Sequence, residues 1–219
     1  MNPESNRKRN RKYEARRLEI LRSAGAAFSR QGFSLATMEE IAEALDMTKG
    51  SLYYYFRSKQ ELLYFCQRYS LDRLLAEAEQ ILSTPLARPL QLHRLIVSQI
   101  RCMLDELSAS SAHIEFRGLP EDRLQEIITR RDEYEGMMRR LVQEGIDSGE
   151  FYGQDARLAV WAILGAINWM VQWYSPQGEL SVEDVARQFA FFLTSSLTGP
   201  QELNRCLQEA EEALGVLHA

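Results

Sequence analysis

The stretch "TKGSLYYYFRSK", residues 48 to 59, gathers three aliphatic hydroxyls, three phenols and three cations within twelve positions. Hydroxyls and phenols donate to phosphate oxygens, and an ammonium can donate to guanine O6 and N7, so the chemistry on offer is nucleic-acid recognition. On a helix, Leu52 and Phe56 stand four residues apart and mark the inward face. Tyr55, three residues from Leu52, leans toward that core or its rim, while Tyr53 and Tyr54 point away from it. The plainer alternative is that all three rings pack against neighbouring helices.

Other chemistries find little support. Cys66, Cys102 and Cys206 are odd in number and far apart, as expected of reduced packing cysteines in an intracellular protein. His93, His113 and His218 have no partner four residues away, so no metal site is expected. There is no Gly-rich phosphate loop, no GxSxG and no nucleophile–base pair in the sequence, so neither an enzyme nor a bound cofactor is expected. The N-terminus lacks the apolar core of a secretory signal, and the longest apolar run, "LAVWAILGAINWMV" at 158 to 171, is too short to span a bilayer. The cytoplasm is the expected location.

Positioning those residues is a task for helices. Periodicity is helical throughout the 219 residues, and no convincing alternating strand pattern occurs. A first helix is predicted from about Lys12 to Arg30, with Gly32 as its C-cap. "TMEE" reads as a capping box, Thr37 to Glu40, opening a second helix, and Thr48 caps a third. Ile41 and Leu45 on one side, Leu52 and Phe56 on the other, close two short helices around a corner. That is a helix-turn-helix, whose second helix brings its first turn, here Lys49, Gly50 and Ser51, to the base edges of the major groove. "SKQE" opens a long helix from Ser58 to about Leu82, and others follow at about 90–107, 120–147, 155–174, after Ser181, and after the "TGP" at 198–200. The expected fold is all-α with nine or ten helices: a head at 1–57 and a larger helical body at 58–219.

Charge divides the same way. The net charge is −5, yet residues 1–60 hold twelve Lys/Arg against seven Asp/Glu, leaving the remainder at −10. Because salt screens charges beyond about 8–10 Å, the basic head can meet a polyanion despite the acidic body. The arm "RKRNRKYEARR" at 7–17, which includes Arg11 and Arg16, is either a solvated tail or a contact to the DNA backbone or minor groove.

Residues 15–63 resemble the DNA-binding domain of the tetracycline-repressor (TetR) family. The matching segments are Ala26–Phe33, Thr37–Leu45 and Leu52–Leu62, the last carrying "LYYYF" followed by "SK". The chain departs from the pattern at Asp46, where the family usually has Gly; a positive φ there is tolerated by Asp at some cost. The resemblance implies that Thr37, Thr48, Lys49, Ser51, Tyr53, Tyr54 and Lys59 match positions that touch DNA. Thr37, Tyr53 and Lys59 suit phosphates, whereas Lys49, Ser51 and Tyr54 suit base edges.

In the body, the resemblance implies a dimer built from the helices near 155–174 and 181–197, whose two-fold axis would match a palindromic operator. "ILGAINWMVQWYSPQGELSVEDVARQF" is similar to regulators that respond to acyl-CoA thioesters, which implies a repressor released by a small hydrophobic effector. Met103, Phe116, Arg130, Tyr134, Met137, Met138, Trp161, Asn168, Trp169 and Trp173 are candidate pocket residues; each could equally belong to core or interface packing. Alternatives are a DNA-binding protein with no effector, or a regulator of efflux answering diverse hydrophobic or aromatic compounds.

Overall fold

A computed structural model describes residues 3–104, 119–153 and 155–217. The described elements are α1 (Pro3–Leu35), α2 (Met38–Glu43), α3 (Lys49–Tyr55), α4 (Lys59–Ser83), α5 (Arg88–Leu104), α6 (Glu121–Ser148), α7 (Ala156–Trp169), α8 (Val182–Thr198) and α9 (Pro200–Leu217), with a 3₁₀ turn at Met170–Gln172. Among the described residues there is no strand, as the periodicity predicted.

The described residues form two compact units. The first comprises the chain up to Leu71 together with the start of α6 as far as Ile128, and the second holds the rest. The sequence reading divided the chain at 57/58. The first turns of α4 belong instead with the head, because Leu62, Leu63 and Cys66 are buried in one cluster with Ile20, Phe28, Ile41, Leu52 and Phe56. Leu119 and Ile127 complete that cluster from a distant part of the chain. Burying a Leu, Ile or Phe side chain stabilises by roughly 1.5–3 kcal/mol, so these residues fix the head far more firmly than its short helices could alone.

α1 begins nine residues earlier than expected. No helix breaker follows Pro3, and Pro is tolerated in a first turn, so the basic arm simply continues the helix. At Gly32 the helical geometry stops, with φ 80° and ψ 161°, a conformation a side chain would resist.

In the second unit α5 packs on α8, and α9 packs on both. Asp155 caps α7 by accepting from the Arg157 amide, and Ser181 caps α8 by accepting from Asp184. α7 ends at Trp169, short of the expected 174, and the 3₁₀ turn carries the chain toward Pro176. Phe151 lies directly on the α6 backbone: a Cβ at Gly145 would come within 2.0 Å of its ring. The Phe151 amide also donates to the Gly145 carbonyl at 2.9 Å. No described helix is long and apolar enough to cross a membrane.

Candidate nucleic-acid interface

The corner is built by reciprocal capping. Glu40 N–H donates to Thr37 Oγ1 at 3.2 Å, and Thr37 N–H donates to Glu40 Oε2 at 2.9 Å. The Thr37 amide, and then the Thr37 hydroxyl donating to Glu40 Oε2 at 3.0 Å, hold the Glu40 carboxyl below its ordinary range. The turn closes through Leu45 and Met47 amides donating to the Ala42 carbonyl at 3.1 and 2.9 Å. Asp46 sits at φ 51°, the positive value expected at that corner.

α3 then leaves the corner with Leu52 fully buried beneath it, and Phe56 caps its end. Thr48 Oγ1 accepts from the Ser51 amide at 3.1 Å and shares a 2.9 Å hydrogen bond with the Ser51 hydroxyl. Lys49 forms an ion pair with Glu39 of α2 and lies over the Tyr53 ring at 5.8 Å. That hydrogen bond raises the lysine pKa and lowers the glutamate's. Thr48, Lys49, Ser51, Tyr53 and Tyr54 therefore share one surface, with Tyr54 74% exposed. An open notch of about 760 Å³ runs beside it, bounded by Arg16, Thr48, Ser51 and Tyr54.

Tyr55 belongs at the rim. Its ring stacks on Tyr13 at 5.0 Å and meets Tyr54 edge-on at 5.2 Å. Tyr13 thus ties the helical arm to α3, and Arg17 adds a guanidinium over the Phe56 and Phe65 rings at 5.2 and 4.5 Å. Neither Tyr13 nor Arg17 figured among the sequence candidates. Both lie within the predicted first helix, but its local pattern does not show which of its side chains meet α3 and α4.

Three other candidates have partners within the head. Arg16 donates to the Leu45 carbonyl in the turn at 3.0 Å and pairs with Glu19 at 2.5 Å. Lys59 donates to the carbonyls of Phe33, Ser34 and Ala36. Thr37 is exposed, but its side chain serves the capping box. Arg11 is exposed on the arm.

The effector candidates separate into two sets. Met103, Tyr134, Met137 and Met138 are buried, and the Tyr134 hydroxyl donates toward the Leu95 carbonyl and Gln99 Oε1 at 3.4 and 3.3 Å. Burial pushes that phenol's pKa well up. Arg130 pairs with Asp72. The second set is not drawn into a pocket: Trp161, Asn168, Trp169 and Trp173 lie on exposed surface. α7 buries Val160, Ile163 and Ile167, and Trp161 and Trp169 are out of phase with that stripe. Trp161 Nε1 donates to Glu135 at 3.1 Å, and Trp173 stacks on Phe189 at 5.6 Å. Phe116 lies outside the described residues.

A concavity that sequence reasoning missed lies elsewhere in the second unit. It is an open groove of about 1000 Å³ with Ile81, Leu90, Phe191 and Leu207 among its apolar lining and His93 and Arg94 among its polar lining. Burial, then the neighbouring Arg94, lowers the His93 pKa. The missed signal was His93–Arg94 beside an apolar periodicity in α5.

Comparison with known proteins agrees with this arrangement. Residues 20–64 match the family described as "Bacterial regulatory proteins, tetR family", and residues 89–197 match "Tetracyclin repressor-like, C-terminal domain". The HTH-type transcriptional repressor KstR2 of Mycolicibacterium smegmatis is 27% identical over 194 residues, covering 85% of this chain and 93% of that protein. The uncharacterized HTH-type transcriptional regulator YfiR of Bacillus subtilis is 30% identical over 150 residues, covering 63% and 69%. The structure of the ketosteroid transcriptional regulator KstR2 of Mycobacterium tuberculosis superposes with a TM-score of 0.72 at 28% identity, covering 84% of this chain and 95% of that one.

Proposed function

Because this chain belongs to the tetR family of bacterial regulatory proteins, we propose that it is a cytoplasmic, homodimeric repressor released from a palindromic operator by a small hydrophobic effector. The observation that carries the reading is the α3 surface, where Lys49, Ser51 and Tyr54 stand together on a buried Leu52. Lys49, Ser51 and Tyr54 read base edges; Tyr53 and Thr37 meet phosphates. Lys49 must exchange or share its Glu39 partner when it meets DNA.

Dimerisation uses the outward faces of α7 and α8. Leu158, Trp161, Trp169 and Phe192 are all more than half exposed in the single chain, an apolar surface that calls for a partner. A second copy supplies it with the two-fold symmetry that a palindrome requires.

The effector has an apolar body. The description of the Mycobacterium tuberculosis KstR2 structure as a ketosteroid regulator supports a ring system, and the sequence likeness to acyl-CoA-responsive regulators supports a thioester. The open groove suits such a ligand, with His93 and Arg94 facing an anionic end. The buried Tyr134, Met137 and Met138 become a second seat only if the core opens. The effector acts to the extent that it prefers the conformation that does not bind DNA. A thermal-shift screen with acyl-CoAs, free acids and steroids tests this: stabilisation by the thioesters and loss of operator binding are expected. A response confined to compounds without a thioester removes the acyl-CoA reading.

A further inference from the structure

Lys59 is one of the cations that the sequence offers to DNA, yet its ammonium faces inward to the corner. It donates to the carbonyl oxygens of Phe33 at 2.6 Å, Ala36 at 2.8 Å and Ser34 at 3.2 Å. An ammonium has three N–H donors, and three carbonyls receive them. The Phe33 ring adds a contact at 4.5 Å from Nζ. Those carbonyls lie where α1 comes undone: Gly32 has left helical geometry, and Thr37 begins α2. The last carbonyls of a helix lack intrahelical partners and carry partial negative charge, so a cation there is stabilising.

From this geometry we infer that Lys59 is a positioning residue, holding the α1–α2 corner to the start of α4, and spends no donor on a DNA phosphate. This inference rests on the DNA-binding reading proposed above. Lys59 is the first residue of α4. A displacement of that end of α4 is passed directly to the residue that precedes α2, one step from the Thr37 cap that orients the reading head. The head is thereby joined to α4 by a polar strut as well as by the buried Leu62 and Leu63.

Two roles for the same charge make opposite forecasts. A phosphate contact contributes about 0.9 to the slope of log affinity against log salt, and arginine can take over such a contact. A strut contributes nothing to that slope, and a planar guanidinium does not reproduce three convergent ammonium bonds. The test measures operator affinity by fluorescence anisotropy across a salt series for full-length wild type, Lys59→Met and Lys59→Arg. Both variants are expected to lose roughly tenfold or more in affinity, the size of one charge-assisted hydrogen bond, with the salt slope of wild type. Effector-induced release is expected to weaken in both. A slope shallower by about one in Lys59→Met, or wild-type affinity in Lys59→Arg, overturns the inference. If Lys59→Met does not fold, Lys59→Arg decides alone, since it keeps the charge. Failure of the wild type itself to bind any specific duplex would instead defeat the DNA-binding reading.

Discussion

Two surfaces of this chain expose large aromatic rings, and they differ in what surrounds the rings. On α3, Tyr53 and Tyr54 carry hydroxyls and stand beside Lys49, Thr48 and Ser51. On α7 and α8, Leu158, Trp161, Trp169 and Phe192 stand among Ala162, Gly165 and Ser196, and the nearby Arg157 is paired with Asp155. A ring with a polar handle beside a positive charge suits a hydrated polyanion. Rings beside small and aliphatic side chains, with the Trp161 indole N–H already spent on Glu135, suit another apolar surface. Exposure alone does not tell a reading surface from a docking surface; the neighbouring donors and charges do.

The largest expected effect breaks the apolar side of that contrast. In Trp169→Glu/Phe192→Glu, association would bury four unpaired carboxylates across the two-fold. Dimerisation is expected to weaken more than about a hundredfold, since burying unpaired charge costs several kcal/mol. Sedimentation equilibrium reads it directly, and a dimer of wild-type affinity would mean that these faces do not pair.

Next comes a change that touches neither surface. In Gly145→Ala the new methyl would meet the Phe151 ring, so the thermal midpoint should fall by an amount equivalent to about 1–3 kcal/mol of overpacking. Operator specificity should not change, which sets a baseline for stability effects on binding.

On the polar side, Thr37→Ala removes the cap of α2 and should cost about 1 kcal/mol, read by denaturant titration. Tyr54→Phe removes one hydroxyl and keeps the ring, and operator affinity should fall by only a few fold, in line with the roughly 0.5–1.5 kcal/mol of a single hydrogen bond. An equal loss on every duplex would make Tyr54 a phosphate contact instead of a base reader. The smallest effect is acidic. Glu40 is held below its ordinary 4.5, so its contribution is complete above that pH and is lost as pH falls through the lowered native value. Melting curves of Glu40→Gln and wild type should therefore differ at neutral pH and converge in acid.

Much of the head was legible because local chemistry decides it. The Thr37–Glu40 box, the Thr48 cap and the positive φ at Asp46 are determined by residues within a turn of one another. The face assignments followed from the spacing of Leu52 and Phe56. What escaped depends on partners distant in sequence. Leu119 and Ile127 join the head's cluster from more than fifty residues beyond Cys66, so no local pattern marks where the unit ends. Lys59 shows the same limit: nothing in its local sequence marks the Phe33 and Ala36 carbonyls that its ammonium meets. In the body, Trp161 and Trp169 lie in a run so apolar that its inward phase, set by Val160, Ile163 and Ile167, could not be read from hydrophobicity alone.

The most direct test of the central claim is selection of duplexes from a random library by the full-length protein, followed by sequencing. Wild type is predicted to enrich an inverted repeat, whereas Lys49→Ala/Ser51→Ala/Tyr54→Ala, with an unchanged circular dichroism spectrum, enriches none or a different sequence. Enrichment of the same repeat by the triple variant would contradict the assignment of α3 as the reading surface.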